Sequence, residues 1–149
     1  MHIRVIIADN YAMFRAGFAR FLTTDNDFQL VGQYDDLTRL YKAVETLDGA
    51  IVIFSSSLEP SLPVLMSKVN GHNVRFVAVL DKRESSQAYR RHNIDGIIYR
   101  DVSQNEAHRC LKAVAAGNKY TQTETSASPE ELEIVLVAPE PILVVRPRL

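Results

Sequence analysis

The first 120 residues alternate between two hydrophobic periods. Short apolar runs rich in β-branched residues, such as Val5–Ala8 and Ile51–Phe54, are typical of strands buried on both faces. Each run is followed by a segment in which apolar residues recur every three or four positions, the period of a helix with one buried face. We predict strands at 3–9, 28–34, 50–54, 74–80 and 96–100. Each is followed by a helical segment, at 11–22, 35–47, 61–69, 84–93 and 102–120, and Gly117 supplies the C-terminal stop of the last helix.

Strands that alternate with helices in this way predict an α/β fold, because parallel neighbours need a long crossover and the helix supplies it. Right-handed crossovers place helices on both faces of the sheet. The expected architecture is therefore a doubly wound (βα)5 parallel sheet in three layers, α/β/α. In such a sheet a functional site lies beyond the carboxyl ends of the strands.

The character of the sequence changes after Tyr120. Residues 121–131 contain almost no apolar side chain, and we predict a linker there. Residues 132–149 turn apolar again, with two β-like runs around the sequence APEP, but they are too few to form a domain. We expect this tail to be a hairpin, a strand that joins a neighbouring sheet, or a truncated or non-native terminus.

Composition and charge narrow the class of protein. A net charge of −1 gives no general affinity for nucleic acid or for anionic membranes. The single cysteine, Cys110, fits a reducing compartment and falls on the apolar face of the last predicted helix, where we expect a core residue. The N-terminal apolar run is too short for a signal peptide, and no stretch reaches the roughly 18–20 apolar residues of a membrane span. We expect a soluble, cytoplasmic protein without membrane contact.

Chemically useful residues follow four of the predicted strands. The pairs and triplets at these carboxyl ends are Asp9–Asn10, Ser55–Ser57, Leu80–Asp81 and Arg100–Asp101. The serines suit a polar turn, and Asp9 suits a cap on the first helix. The histidines, His2, His72, His92 and His108, have no spacing typical of a metal site, so we expect surface or helix positions for them.

Four stretches of the chain carry a family resemblance. They are IRVIIADNYAMFRAGFARFL, with Arg15 and Gly17 at characteristic positions, FQLVGQYDD, IDGIIYRDVSQNE and AVAAGNKY. In this order they resemble the receiver domain of two-component response regulators of the NarL/FixJ type. The resemblance covers residues 1–120 and implies the flavodoxin-like form of the α/β fold.

The resemblance also implies a reaction, phosphoryl transfer from a histidine kinase to an aspartate that follows the third strand. Two acidic residues after the first strand hold Mg²⁺, because this hard ion prefers carboxylate oxygens. In this chain Asp9 keeps the first acidic position, Asn10 stands at the second, and Ser55 stands at the phosphoacceptor position. A serine cannot form the acyl phosphate.

The remaining positions of the family site also depart from its pattern. Leu80 best matches the position of the usual Thr or Ser, with Ala78 or Asp81 as alternatives if the gap is placed differently. Arg100 replaces the usual Lys, and Ile97 stands at the aromatic switch position three residues before it. We therefore expect no catalytic residue, no enzymatic activity and no cofactor, with Mg²⁺ binding weak or absent.

The retained charges suggest a substitute for the metal. Arg100 and Asp9 both lie at carboxyl ends of strands in the predicted fold, and we hypothesise that they pair across the pocket. The chain is then an atypical, phosphorylation-independent receiver domain that acts through protein–protein contact, most plausibly as a homodimer, to control an output module for transcription. A sensor kinase or another signalling protein is the other partner that the resemblance implies.

Charge and length bear on these partners. Basic residues near the fourth helix are typical of a solvated face, but receivers use the same face for dimer and partner contacts; they are Lys82, Arg83, Arg90 and Arg91. DNA binding in this subclass belongs to a helix-turn-helix output domain, which residues 121–149 do not contain. We expect DNA contact only through such a domain.

Two alternative functions stay open at the level of sequence. The first is a conventional response regulator that is phosphorylated on another aspartate, such as Asp9, Asp35 or Asp36. The second is a small flavodoxin-like protein that binds a nucleotide or another ligand on the loop SSSLEP. Phosphate-binding loops favour glycine, which allows close approach of the backbone, and this loop has none.

Overall fold

The computed structural model describes residues 2–68 and 73–122. They form one parallel sheet of six strands in the order β2-β1-β3-β4-β5-β6. The strands are β1 (Ile3–Ala8), β2 (Phe28–Tyr34), β3 (Ala50–Ser55), β4 (Arg75–Leu80), β5 (Gly96–Tyr99) and β6 (Tyr120–Thr121). The five strands predicted from the apolar runs are confirmed.

Five α-helices and one short 3-10 helix connect the strands. They are α1 (Ala12–Thr24), α2 (Leu37–Glu45), the 3-10 helix Ser56–Leu58, α3 (Leu62–Lys68), α4 (Gln87–Arg91) and α5 (Gln104–Ala115). The fourth helix is shorter at both ends than the predicted 84–93, and Asn93, just after its C-cap, takes a left-handed φ of 63°. Among the described residues, no helix combines the length and hydropathy needed to span a bilayer.

The two faces of the sheet carry separate hydrophobic cores. Helices α2, α3 and α4 cover one face, where Leu40, Leu65 and Tyr89 pack with strand residues such as Phe54. Helices α1 and α5 cover the other face, with Phe18, Leu22, Cys110, Leu111 and Val114 among its buried side chains. This arrangement is the three-layer, doubly wound architecture that the sequence predicts.

The register of the central strands brings their carboxyl ends to one edge. Ala8 pairs with Phe54, Ser55 with Val79, and Leu80 with Tyr99. All six residues of β3 are buried, which accounts for its continuous apolar run. The residues that follow β1, β3, β4 and β5 therefore meet at the same edge.

The sixth strand departs from the prediction, which placed no strand after the last helix and began a linker at 121. The helix ends at Ala115, two residues before the predicted stop, and Gly117 follows with a φ of 91°. Tyr120 and Thr121 then pair in parallel with β5, whose edge would otherwise leave backbone groups without partners. The rest of the predicted linker 121–131, beyond residue 122, and the tail 132–149 lie outside the described residues.

Gln122 fixes the end of this strand. Its backbone N–H donates to the Ile97 carbonyl at 2.8 Å, and its side-chain Oε1 accepts from the Tyr99 N–H at 2.7 Å. Its Nε2 donates to Asp101 Oδ1 at 3.2 Å. Gln122 is 5% exposed, so these hydrogen bonds satisfy a buried amide.

Candidate functional site: an arginine among two aspartates and two serines

Asp9 forms the floor of the site at the end of β1. Its side chain is 1% exposed, and its Oδ1 accepts a hydrogen bond from the Tyr11 N–H at 2.9 Å. The N-cap residue of α1 is Tyr11, so Asp9 shapes the turn before the helix rather than occupying the predicted cap position. Arg15 Nη1 donates to the Asp9 carbonyl at 2.5 Å and ties this turn to the first turn of α1.

Arg100 follows β5 and reaches across the strand ends to Asp9. Its Nη1 lies 2.9 Å from Asp9 Oδ2, and its Nη2 lies 3.3 Å from Asp9 Oδ1. This is a bidentate ion pair, the strongest geometry available to an arginine and a carboxylate. The pair hypothesised from the sequence is therefore present in the structure.

The remaining guanidinium donors contact the other strand ends. Nε donates to Asp81 Oδ1 at 2.9 Å. Nη2 donates to Ser55 Oγ at 2.5 Å and to Ser57 Oγ at 3.1 Å. One side chain from the end of β5 thus joins the residues that follow β1, β3 and β4.

Two aromatic rings cover the guanidinium. The Arg100 Cζ lies 4.0 Å from the centre of the Tyr11 ring and 4.9 Å from that of Phe14. Burial opposes the positive charge, but the hydrogen bonds and negative charges of Asp9 and Asp81 outweigh it and raise the pKa of Arg100 above its ordinary value. The guanidinium is therefore a fixed, permanent cation in this site.

The serines form both the turn and the polar wall of the site. Ser55 is fully buried, its Oγ caps the 3-10 helix by accepting from the Ser57 N–H at 3.1 Å, and it lies 2.6 Å from Ser57 Oγ. Ser57 Oγ also donates to Asn10 Oδ1. Ser56 points elsewhere and donates to Glu84 Oε1 at 2.6 Å. Ser55 therefore belongs to a polar turn, as the sequence predicts, and it also lines the site.

The structure places two other predicted site residues, Leu80 and Ile97, outside the site. Leu80 is fully buried and Ile97 is 1% exposed, and both side chains belong to the core on the α2–α4 face. The contribution of β4 comes instead from Asp81, one of the two alternatives for the Leu80 position. Asp81 follows β4 directly in the sequence, but only the fold shows that its carboxylate meets Arg100.

The donor set does not fit the Mg²⁺ ion that the family resemblance implies. Both Asp9 oxygens accept hydrogen bonds from Arg100, and Asp81 Oδ1 and Asn10 Oδ1 are engaged by Arg100 and Ser57. A hard divalent ion needs these oxygens and would lie beside a permanent positive charge. The arginine neutralises the carboxylates that would otherwise attract a metal.

Cys110 lies outside this site, as the sequence predicts. Its side chain is fully buried in the core on the α1–α5 face. Burial raises the pKa of the Cys110 thiol to about 12, so the residue stays a neutral thiol at physiological pH. Its role is packing.

The order of the first five strands and the polar site at their carboxyl edge are those of the flavodoxin-like fold, to which receiver domains belong. The isolated receiver domain of RcsB from Salmonella enterica serovar Typhimurium, with the phosphomimetic BeF3⁻, matches at a TM-score of 0.72 and 20% identity over 85% of this chain and 97% of that one. The receiver domain of the putative response regulator NarL from Mycobacterium tuberculosis matches at 0.67 and 17%, over 78% and 98%. The fold predicted from the family resemblance is confirmed.

Sequence comparison points to the same relatives. The chain is 23% identical to the transcriptional regulatory protein RcsB of Escherichia coli (strain K12) and 22% identical to that of Salmonella typhi, in alignments that cover 88% of the chain. The chain spans 64% of the length of these curated relatives. No protein-family model matches it.

Proposed function

We propose that this chain is a signalling receiver domain that works without aspartate phosphorylation and without enzymatic activity of its own. The observation that carries the proposal is the position of Arg100. Its guanidinium bridges two aspartates and two serines at the edge where a phosphorylated receiver holds Mg²⁺ and its phosphoryl group. An internal cation thus stands where an exchangeable ligand would bind.

The chemistry of Ser55 supports this proposal. Phosphoryl transfer to a hydroxyl needs a base to remove its proton. The partners of Ser55 Oγ within the described residues are Arg100 Nη2, Ser57 Oγ and the Ser57 N–H, and none of them is a base. The carboxylate of Asp9 is engaged by Arg100, so it is a poor nucleophile as well.

A receiver domain without phosphorylation can still act by binding other proteins. One RcsB structure contains two RcsB dimers bound to two parallel DNAs, and another contains RcsB bound to the promoter P1flhDC. By analogy, the domain forms a homodimer that sets the arrangement of a transcription output module, and it receives its signal through expression level or through another signalling protein. We infer a cytoplasmic location for this activity.

A phosphorylation assay tests the proposal. The full chain is incubated with acetyl phosphate and Mg²⁺, and its intact mass is measured; we expect no added phosphoryl group. A matched variant, N10D/S55D/R100K, restores the second acidic residue, the phosphoacceptor aspartate and the lysine of the family site, and it should gain one phosphoryl group under the same conditions.

Two outcomes would contradict the proposal. A phosphoryl group on the unmodified chain, at Asp9, Asp35, Asp36 or elsewhere, would favour the conventional response regulator. A chain that stays monomeric in light scattering at all accessible concentrations would contradict the proposed homodimer. The two measurements are independent, so each part of the proposal is tested separately.

A further inference from the structure

A second group of charged side chains lies between α5 and the turn that connects α1 to β2. We call it the α5 cluster: Asp25, Asp27, His108 and Lys112. His108 Nε2 lies 2.9 Å from Asp27 Oδ2 and 3.6 Å from Asp25 Oδ2, and Lys112 Nζ lies 3.6 Å from Asp27 Oδ2. The group is independent of the Arg100 site and takes no part in the proposed function.

The geometry of three of these residues suits a metal ion. One ligand atom from each of Asp25, Asp27 and His108 lies within 4.8 Å of the other two. A tetrahedral Zn²⁺ ion with bonds of about 2.0–2.1 Å separates its ligand atoms by about 3.4 Å. The distance of 3.6 Å from His108 to Asp25 is already near that value, and the 2.9 Å contact to Asp27 needs to lengthen by about half an ångström.

Neighbouring groups hold these ligands in place before any metal arrives. Asp25 Oδ1 accepts a hydrogen bond from the Asp27 N–H at 2.9 Å, which directs the other oxygen of Asp25 toward His108. The Phe28 ring contacts the imidazole edge-on, with ring centres 5.4 Å apart. Second contacts of this kind orient ligands and strengthen metal binding.

The ligand atoms also have access to solvent. A cavity of about 550 Å³ opens beside them, and the carbonyl or amide side chains on its wall come from Asn26, Gln104 and Asn105. His108 and Asp25 are themselves 35% and 22% exposed. Water can therefore complete the coordination of an ion held by three protein ligands, as in open zinc sites.

We propose that Asp25, Asp27 and His108 form a binding site for a divalent transition-metal ion with the preferences of Zn²⁺. Imidazole nitrogen combined with carboxylate oxygen suits this class of ion better than Mg²⁺ or Ca²⁺. On binding, the ion takes the place of the proton between His108 Nε2 and Asp27, and any proton on that nitrogen is released to solvent. Lys112 opposes binding, because its ammonium lies beside the Asp27 carboxylate.

Titration of the tag-free full chain with Zn²⁺ alone, followed by calorimetry, tests the site. We expect one ion per chain with micromolar affinity. H108Q removes the nitrogen ligand and should weaken binding at least tenfold. H92Q is the matched control, since His92 follows α4 away from these carboxylates, and its affinity should equal that of the parent chain.

Lys112 gives a test in the opposite direction. K112Q removes the competing ammonium and should bind Zn²⁺ several-fold more tightly than the parent chain. If K112Q and the parent chain bind Zn²⁺ with equal affinity, Asp27 is not a ligand of the ion. An H108Q affinity equal to that of the parent, or no binding by the parent at 100-fold molar excess of Zn²⁺, would overturn the site as a whole. Circular dichroism confirms that each variant is folded.

Discussion

Arg100 and His108 each lie between two aspartates, and the two arrangements differ in burial. Arg100 lies between Asp9 and Asp81 at the carboxyl edge of the sheet, and His108 lies between Asp25 and Asp27 near its amino edge. Asp9 is 1% exposed, whereas the Asp27 side chain is 46% exposed. Burial makes the first group part of the fold, and exposure leaves the second group open to exchange.

The chemistry of the two side chains reinforces this difference. A guanidinium keeps its charge at all physiological pH values and presents its donors in a rigid fork, so it is a lasting replacement for a metal ion. An imidazole can lose its proton and then offer a lone pair to a metal. The same pattern of charges therefore gives a closed site at one edge and an exchangeable site at the other.

The largest expected effect comes from removing the buried cation. R100M leaves the Asp9 carboxylate buried without its counterion, and we expect a loss of about 3 kcal/mol or more in the free energy of unfolding. Urea denaturation followed by circular dichroism measures this loss. R39M is the matched control, because Arg39 pairs with Asp35 and Asp36 on the surface, where such a pair contributes little.

A double variant shows whether the loss comes from the orphaned charge. D9N/R100M removes both charges and should recover much of the stability that R100M loses. A double variant no more stable than R100M would mean that packing of the arginine, rather than its pairing, accounts for the effect.

A smaller effect is expected from the ring that covers the guanidinium. Tyr11 is 49% exposed, so its main contact is the Arg100 face at 4.0 Å. We expect Y11L to lower the free energy of unfolding by about 1 kcal/mol, the scale of a cation–π contact that is partly shielded from water. An effect of Y11L that persists in the R100M background would show that the ring stabilises the protein by another route.

The smallest effect on stability is expected at the α5 cluster. The hydrogen bond from His108 and the charge of Lys112 lower the pKa of Asp27 below its ordinary value. Asp27 thus stabilises the fold above its ordinary pKa, and this contribution is lost as pH falls through the lowered value. Because Asp27 is exposed, we expect H108Q to lower the urea midpoint only slightly while the pKa of Asp27 rises in an NMR titration; an unchanged pKa would contradict the contact.

Much of the fold follows from local patterns that the sequence shows directly. The run Ile51–Phe54 predicts a buried strand because it is short and rich in β-branched residues, and a sheet covered on both faces buries successive side chains. The pairing of Arg100 with Asp9 was also predictable, since both residues end strands of one parallel sheet. Strand β6 was not predictable, because Tyr120–Thr121 become a strand by pairing with the open edge of β5. Their own pattern of apolar and polar residues does not indicate one.

The sequence named Asp81 and Ser57 as candidates but did not select them over Leu80 and Ser55, for a similar reason. Asp81 and Ser57 follow strands in the sequence, but which of several polar residues faces the pocket depends on how each loop turns. His108 and Asp27 are 81 positions apart. Their contact depends on the packing of α5 against the turn between α1 and β2. No spacing rule applied to the sequence predicts that packing.

Gln122 gives the molecule a mechanical connection at its sheet edge. The residue is anchored to Ile97, Tyr99 and Asp101, and the last two flank Arg100 in the chain. Gln122 therefore holds the backbone on both sides of Arg100, and the end of β6 is joined to the arginine's surroundings through one glutamine side chain.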